Sequence, residues 1–159
     1  RSKQGHLAAA LIGKAFVEAV IDEAFRPDNG DEASRVSLKI VAFLAETLGN
    51  WSTLTPLQQL NVARACYYLG YYLAVGRAEK SHADEIRKAA EQLGPLLQQA
   101  LLFVGPDARV PIIRALGQFR FAPARSTLRH LANDKGEPES NSAAALAAIR
   151  MIDASLAVA

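Results

Sequence analysis

PDARVPIIRALGQF, residues 106–119, is the stretch of this sequence that decides its fold class. Its apolar residues recur at the spacing of one face of an α-helix, and they are Val110, Ile113, Leu116 and Phe119. Asp107 is suited to cap the helix, and Pro111 falls in the first turns, where a missing N–H costs little. The stretch therefore predicts a helix with one buried face.

The rest of the chain repeats this helical rhythm between breaks that carry Gly, Pro or a capping residue. After a short break near Phe121 to Pro123, a further helix is predicted with Leu128 and Leu131 on its apolar face, and it ends at a polar loop over residues 133–138. Other helices are predicted over about residues 4–25, 31–49, 55–76 and 81–104. The helix predicted over about residues 81–104 is expected to be kinked or split at Gly94–Pro95. A last helix is predicted to carry Leu146, Ile149, Met151 and Ile152 before an apolar, Ala-rich tail.

Two helix ends carry specific capping signals. Thr55, Pro56 and Gln58 form the best start signal, a capping box with Pro at the first helical position. Gly49 is predicted to end the preceding helix in a left-handed conformation. Trp51 is predicted to anchor the loop between these two helices, with a ligand-stacking role as the alternative.

Composition excludes several classes of protein. Half of the residues are hydrophobic, which excludes a disordered chain, and a net charge of +2 gives little support to a nucleic-acid partner. The single Cys66 excludes an internal disulfide and is expected to be a buried core residue. Charged residues interrupt the apolar segment 7–25, so it predicts neither a membrane span nor a signal peptide, and we expect a cytoplasmic protein.

The helix pair from Asp107 to Asn133 resembles one HEAT-type repeat. Its first helix reads Asp-x-x-Val and then Ile-x-Ala-Leu-Gly, and Leu128 and Leu131 lie on the second. Moving thirty residues forward places Ala145–Leu146 on Ala115–Leu116, whereas the backward copy at 86–94 is one residue out of register. The resemblance covers about residues 81–159, with departures at Pro111 and Ser140.

This resemblance implies an all-α fold of antiparallel helical hairpins, forming a short α-solenoid in the C-terminal half. We expect a single domain over residues 1–159, in which residues 1–80 form an N-terminal helical bundle and 81–159 the HEAT-like pairs. A non-repeating helical bundle is the alternative. The family implies protein binding on a curved surface, although bilin lyases and DNA-repair enzymes of the wider superfamily show that the fold does not exclude catalysis.

All four tyrosines of the chain fall within six residues, at Tyr67, Tyr68, Tyr71 and Tyr72. Helical spacing places Tyr67 beside Tyr71 and Tyr68 beside Tyr72, and Gly70 between them allows another backbone to approach. Four phenols cannot all lie in a dry core without hydrogen-bond partners, so the cluster predicts a partner-binding patch. The alternative is that two rings pack inside with their hydroxyl groups at the edge.

The C-terminal helix pair is locally basic. Arg114, Arg125 and Arg129 are candidates for a surface that binds an acidic protein, an anionic ligand or a nucleic-acid backbone. Arg109 and Arg120 add to the same local charge. The alternative is a solvated face with local ion pairs.

No catalytic, metal-binding or cofactor-binding motif is present in the sequence, and His6, His82 and His130 share no ligand spacing. We therefore predict a non-enzymatic protein–protein interaction or scaffold module that binds another protein. One alternative is an enzyme on a HEAT-like scaffold, of the bilin-lyase or DNA base-excision type. The other is a helical homodimerisation module, and so a homo-oligomer.

Overall fold

A computed structural model of the protein describes the backbone of residues 41–75 and 80–158, and all their side chains except those of 72–75, 80–86, 107 and 158. This part of the chain is helical and contains no β-strand, which confirms the predicted all-α class there. The helices are α1 (41–49), α2 (Pro56–Val75), α3 (Lys80–Phe103), α4 (Arg109–Gln118), α5 (Arg125–Asn133) and α6 (Glu139–Val158). The helix predicted over residues 4–25 lies outside the described residues.

The start of α2 is the predicted capping box. The Thr55 N–H donates to Gln58 Oε1 at 2.8 Å, and the Gln58 N–H donates to Thr55 Oγ1 at 3.2 Å. Pro56 is the first residue of the helix. Both interactions are local in sequence, so a prediction from neighbouring residues succeeded here.

The end of α1 differs from its prediction. Gly49 does not adopt the left-handed conformation, because no described glycine has a positive φ. Instead, Asn50 ends the helix: its N–H donates to Thr47 O at 3.1 Å and its Nδ2 donates to Glu46 O at 2.9 Å. The side-chain amide satisfies a terminal carbonyl that a glycine cap would otherwise have served.

Two other helix boundaries also differ from the prediction. α3 continues through Pro95, so of the predicted kink or split the split does not occur; Leu93 and Leu97 on either side are fully buried and hold the helix in the core. α4 begins at Arg109, after a 3₁₀ turn over Pro106–Ala108, and no side chain caps it. Asp107 therefore precedes the cap position. Pro111 is the third residue of α4, within the first turn as predicted.

The central element of the described fold is α4, which packs against α2, α3 and α6. Two adjacent residues of α4, Gly117 and Gln118, lie close against neighbouring helices. A methyl group added at Gly70 of α2 would lie 2.7 Å from Gln118 Cβ. A methyl group added at Gly117 would lie 2.9 Å from both Cα and Cβ of Ala148 in α6. Glycine at these two positions therefore allows α4 to approach α2 and α6 closely.

The contacts also give the relative directions of the helices. Early residues of α2 and α4 line one groove, and later residues meet at Gly70 and Gln118, so these two helices run in the same direction. α5 and α6 run in opposite directions: Ser142 Oγ donates to Leu131 O near their connection, and Arg125 pairs with Asp153 farther along. α6 also packs beside α4.

A buried polar network connects the start of α4 to the start of α6. Asn141, which is buried, donates from Nδ2 to Pro106 O and to Glu137 Oε2, each at 2.8 Å. The same Glu137 carboxylate accepts a hydrogen bond from Arg109 in a salt bridge. The Glu137 carboxylate therefore has two polar partners, Arg109 and Asn141, which offset the cost of its burial.

One core cluster extends from Val41 to Ile152 and contains Ile113 and Leu116 of α4 and Phe119 just after it, three of the four residues predicted on the buried face. Val110, the fourth, is only half-buried. Leu128 and Leu131 of α5 are also buried, as predicted. Leu146 is the exception in α6. It was aligned with Leu116, yet it is 46% exposed, and the buried residues of this helix are Asn141, Ala145, Ala148 and Ile152.

Candidate functional site

A groove of about 560 Å³ lies between α2 and α4, and we call it the α2/α4 groove. Its volume is in the range of pockets that hold small ligands or short peptide segments. The lining residues from α2 are Leu60, Asn61, Arg64, Tyr67 and Tyr68, and those from α4 are Val110, Pro111 and Arg114.

The α2 side of the groove is one face of the helix. Leu60, Arg64 and Tyr67 follow one another at intervals of four and three residues, so their side chains point the same way. Cys66 and Leu69 lie on the opposite side and are fully buried. The core therefore fixes the rotation of α2, and this rotation presents the tyrosine face to the groove.

Three of the four tyrosines form a ring cluster. The Tyr67 and Tyr68 ring centroids are 5.1 Å apart in an edge-to-face arrangement, and those of Tyr67 and Tyr71 are 6.3 Å apart. Tyr67 and Tyr68 are half-buried in the groove, whereas Tyr71 is 40% exposed. The Tyr72 side chain lies outside the described residues. Tyr67 and Tyr68 are therefore partly packed and partly available, as rings at the edge of a core are.

The groove carries positive charge from both helices. Arg64 of α2 and Arg114 of α4 are exposed and line it. Neither forms a salt bridge or hydrogen bond with another residue of the described part of the chain. No acidic residue is among the described residues that line the groove. Two guanidinium groups, with no carboxylate among the described lining residues, make this part of the groove positive.

The other predicted arginines lie elsewhere and fit the local ion-pair interpretation. Arg125 Nε donates to Asp153 Oδ1 at 2.6 Å, and its Nη2 donates to Oδ2 at 3.0 Å. This hydrogen-bonded pair raises the pKa of Arg125 and lowers the pKa of Asp153. Arg129 is exposed on the same helix, α5. The structure thus brings Arg114, but not Arg125 or Arg129, to the tyrosines.

Arg64 is the functional candidate that the sequence analysis missed. Its spacing of three and four residues from Tyr67 and Tyr68 was a sufficient signal, because it places the three side chains on one helix face. Val110 and Pro111 could not have been found in this way. They join the tyrosines only through the packing of α4 on α2, which no local pattern encodes.

A second hollow, of about 600 Å³, lies where the end of α4 meets α6, and its lining is mainly apolar. Arg120 lines it with a φ of 51°, a left-handed conformation that non-glycine residues adopt infrequently. Its Nη1 donates to Gln118 O at 2.5 Å, and partial burial lowers the pKa of its guanidinium. The remaining lining residues are Arg150, Met151, Ala154 and Ser155.

Other chemical features of the described chain are few. Cys66 is fully buried, and this burial raises the pKa of its thiol to about 12. Among residues 41–75 and 80–158, no group of three or more His, Cys, Asp and Glu side chains is arranged to hold a metal ion. None of the helices described here has the length and apolar character needed to cross a bilayer.

Comparisons with profiles of known families, with characterised proteins and with solved structures gave no significant match. The HEAT-type resemblance therefore depends on the residues quoted from the sequence and has no support from a relative.

Proposed function

We propose that this chain is a non-enzymatic protein-binding module of the α-solenoid type and that the α2/α4 groove is its docking site. The direction and packing of the helices support the architectural part of this proposal. α4 runs alongside α2 in the same direction and also packs on α6, while α5 runs back against α6. In stacked helical hairpins alternate helices lie side by side in this way, and the groove lies between two such helices, α2 and α4.

The observation that carries the functional part is the meeting of Tyr67, Tyr68 and Arg114 in one groove. The two tyrosines and Arg114 are more than forty positions apart in the sequence. Tyr and Arg are enriched among residues that dominate binding energy at protein interfaces. A concave site that combines both is suited to anchoring a side chain of a partner.

Photo-crosslinking tests the docking site. A photoreactive phenylalanine derivative replaces Val110, which lines the groove, and the matched control carries it at Leu146, which is exposed on α6. We expect the Val110 probe, but not the Leu146 probe, to capture a protein from the source cell. The purified partner should then bind the wild-type chain and lose affinity for Tyr67→Ala and Arg114→Glu variants that keep their helical circular dichroism.

The outcomes separate the alternatives. Crosslinking of the Val110 probe to a second copy of the chain, with a dimer in light scattering, would support the homodimerisation module instead. A partner that binds the groove variants with unchanged affinity would show that the docking site is wrong. An enzyme on the same scaffold would turn over a substrate, and its activity, rather than protein affinity, would depend on Tyr67.

A further inference from the structure

The charge of the α2/α4 groove indicates the chemistry of its occupant. Arg64 and Arg114 lie on opposite sides, one on each helix, and neither has an acidic partner among the described residues. Charge-assisted hydrogen bonds from guanidinium groups to carboxylates are among the stronger polar contacts that proteins make. An occupant that supplies carboxylates therefore complements the groove, whereas a basic occupant would be repelled.

The apolar part of the groove indicates a second feature of the occupant. Tyr67 and Tyr68 line the groove together with Leu60, Val110 and Pro111. These surfaces gain free energy when an apolar side chain removes them from water. The groove volume of about 560 Å³ fits a short segment rather than a folded domain.

We propose that the α2/α4 groove binds a short acidic segment of a partner protein, with a carboxylate between Arg64 and Arg114 and an adjacent apolar side chain against Tyr67 and Tyr68. This inference rests on the proposed function and names the chemistry of the partner. A nucleic acid is the competing polyanion. The whole chain carries a net charge of only +2, and two arginines neutralise few phosphates, so the observations favour the peptide.

Peptide display tests this proposal without knowledge of the partner. A library of random linear peptides is selected against the immobilised full-length chain, and the enriched peptides are synthesised and titrated. We expect enriched sequences with Asp or Glu next to Leu, Phe or Trp. A parallel selection against the Arg64→Glu, Arg114→Glu double variant should lose this acidic enrichment, since charge reversal removes the complementarity.

Titration with matched variants locates the binding site. The affinity of an enriched acidic peptide should fall by about tenfold or more in the Arg64→Glu, Arg114→Glu variant. The control is the Arg129→Glu, Arg150→Glu variant, which changes the net charge equally at two exposed residues outside the groove. It should change the affinity by less than about twofold, and both variants should keep the circular dichroism of the wild type.

Each contrary result has its own meaning. Enriched peptides that lack acidic residues, yet lose binding with Tyr67→Ala, would overturn the acidic occupant and leave the groove as the docking site. Equal loss of affinity in both charge variants would show non-specific attraction and also overturn the proposal. A selection without enrichment would overturn it because the occupant is proposed to be a short linear segment. A single-stranded oligonucleotide that displaces the peptide at similar concentration would identify a nucleic-acid site instead.

Discussion

Cys66 shows how burial alone changes the chemistry of a residue. It lies on the core side of α2, opposite the groove, with none of its surface exposed. No charged group causes its shifted pKa; desolvation of the thiolate does. The sequence predicted a core cysteine from its apolar neighbours, and the structure confirms its burial.

The pKa of Cys66 leads to a prediction at the residue scale. Burial raises this pKa from 9.0 to about 12, so the unfolded chain loses the thiol proton before the folded chain does. The contribution of this group to stability is therefore complete below pH 9 and is lost as the pH rises from 9 towards 12. We expect the free energy of unfolding, measured with urea, to fall over this range more steeply for wild type than for Cys66→Ala. Equal slopes for the two proteins would contradict the prediction.

Other single residues show where sequence-based prediction succeeds and fails. The Thr55–Gln58 capping box was predictable because both partners lie within one turn. The conformation of Gly49 was not, because the next residue, Asn50, supplies a side-chain hydrogen bond that replaces the glycine cap. Glycine can adopt the left-handed conformation, but whether a helix end uses it depends on the hydrogen bonds that neighbouring residues supply.

The two helices α4 and α6 show how far a sequence repeat corresponds to a structural one. A shift of thirty residues along the sequence places Leu146 of α6 on Leu116 of α4. The two helices also touch, at Gly117 and Ala148. Leu116 is fully buried because α4 has neighbours on several sides. In α6 the buried residues are mainly small, and Leu146 faces outward.

This difference gives a prediction at the scale of the element, with a matched control. Leu116→Ala should lower the free energy of unfolding by about 2–5 kcal/mol, because it opens a cavity in the core. Leu146→Ala removes the same atoms from an exposed position and should change it by less than about 1 kcal/mol. Urea denaturation of both variants measures this. Similar losses would mean that the two helices are equivalent after all and that Leu146 is covered.

Helix positions were predictable in the described chain, but helix partners were not. The periodicity of α4 and the inward residues of α5 were read directly from the sequence, since each depends on spacing along one helix. Pro95 was predicted to kink or split α3, and no split occurs, since Leu93 and Leu97 on either side are buried in the core. A proline destabilises a helix only at its own position, and the free energy gained by burying the side chains around it can exceed that cost.

At the scale of the whole molecule, the candidate site exists only because two helices pack together. The tyrosine cluster and Arg114 were each identified from sequence as unusual residues. Nothing in the sequence placed them together, because α3 separates α2 from α4 along the chain. α2 and α4 approach closely where Gly70 meets Gln118, and the groove lies between the same two helices. Gly70 was expected to admit another backbone, and α4 is the element that approaches it.

The continuous core leads to a final prediction about how the molecule unfolds. Trp51, the single tryptophan of the chain, is buried in the same core cluster that reaches Ile152 in α6. A shared core predicts that the region around Trp51 and the C-terminal helices unfold in one transition. Tryptophan fluorescence should therefore report the same denaturation midpoint as far-ultraviolet circular dichroism.

Leu116→Ala makes this test decisive, because Leu116 is remote from Trp51 in the sequence but belongs to the same cluster. If the core is cooperative, the substitution lowers the fluorescence midpoint and the dichroism midpoint by equal amounts. If residues 1–80 and 81–159 are independent units, the Trp51 transition stays unchanged and the dichroism curve acquires two steps. A solenoid whose neighbouring hairpins are strongly coupled gives the first result, and a bundle followed by a separate repeat array gives the second.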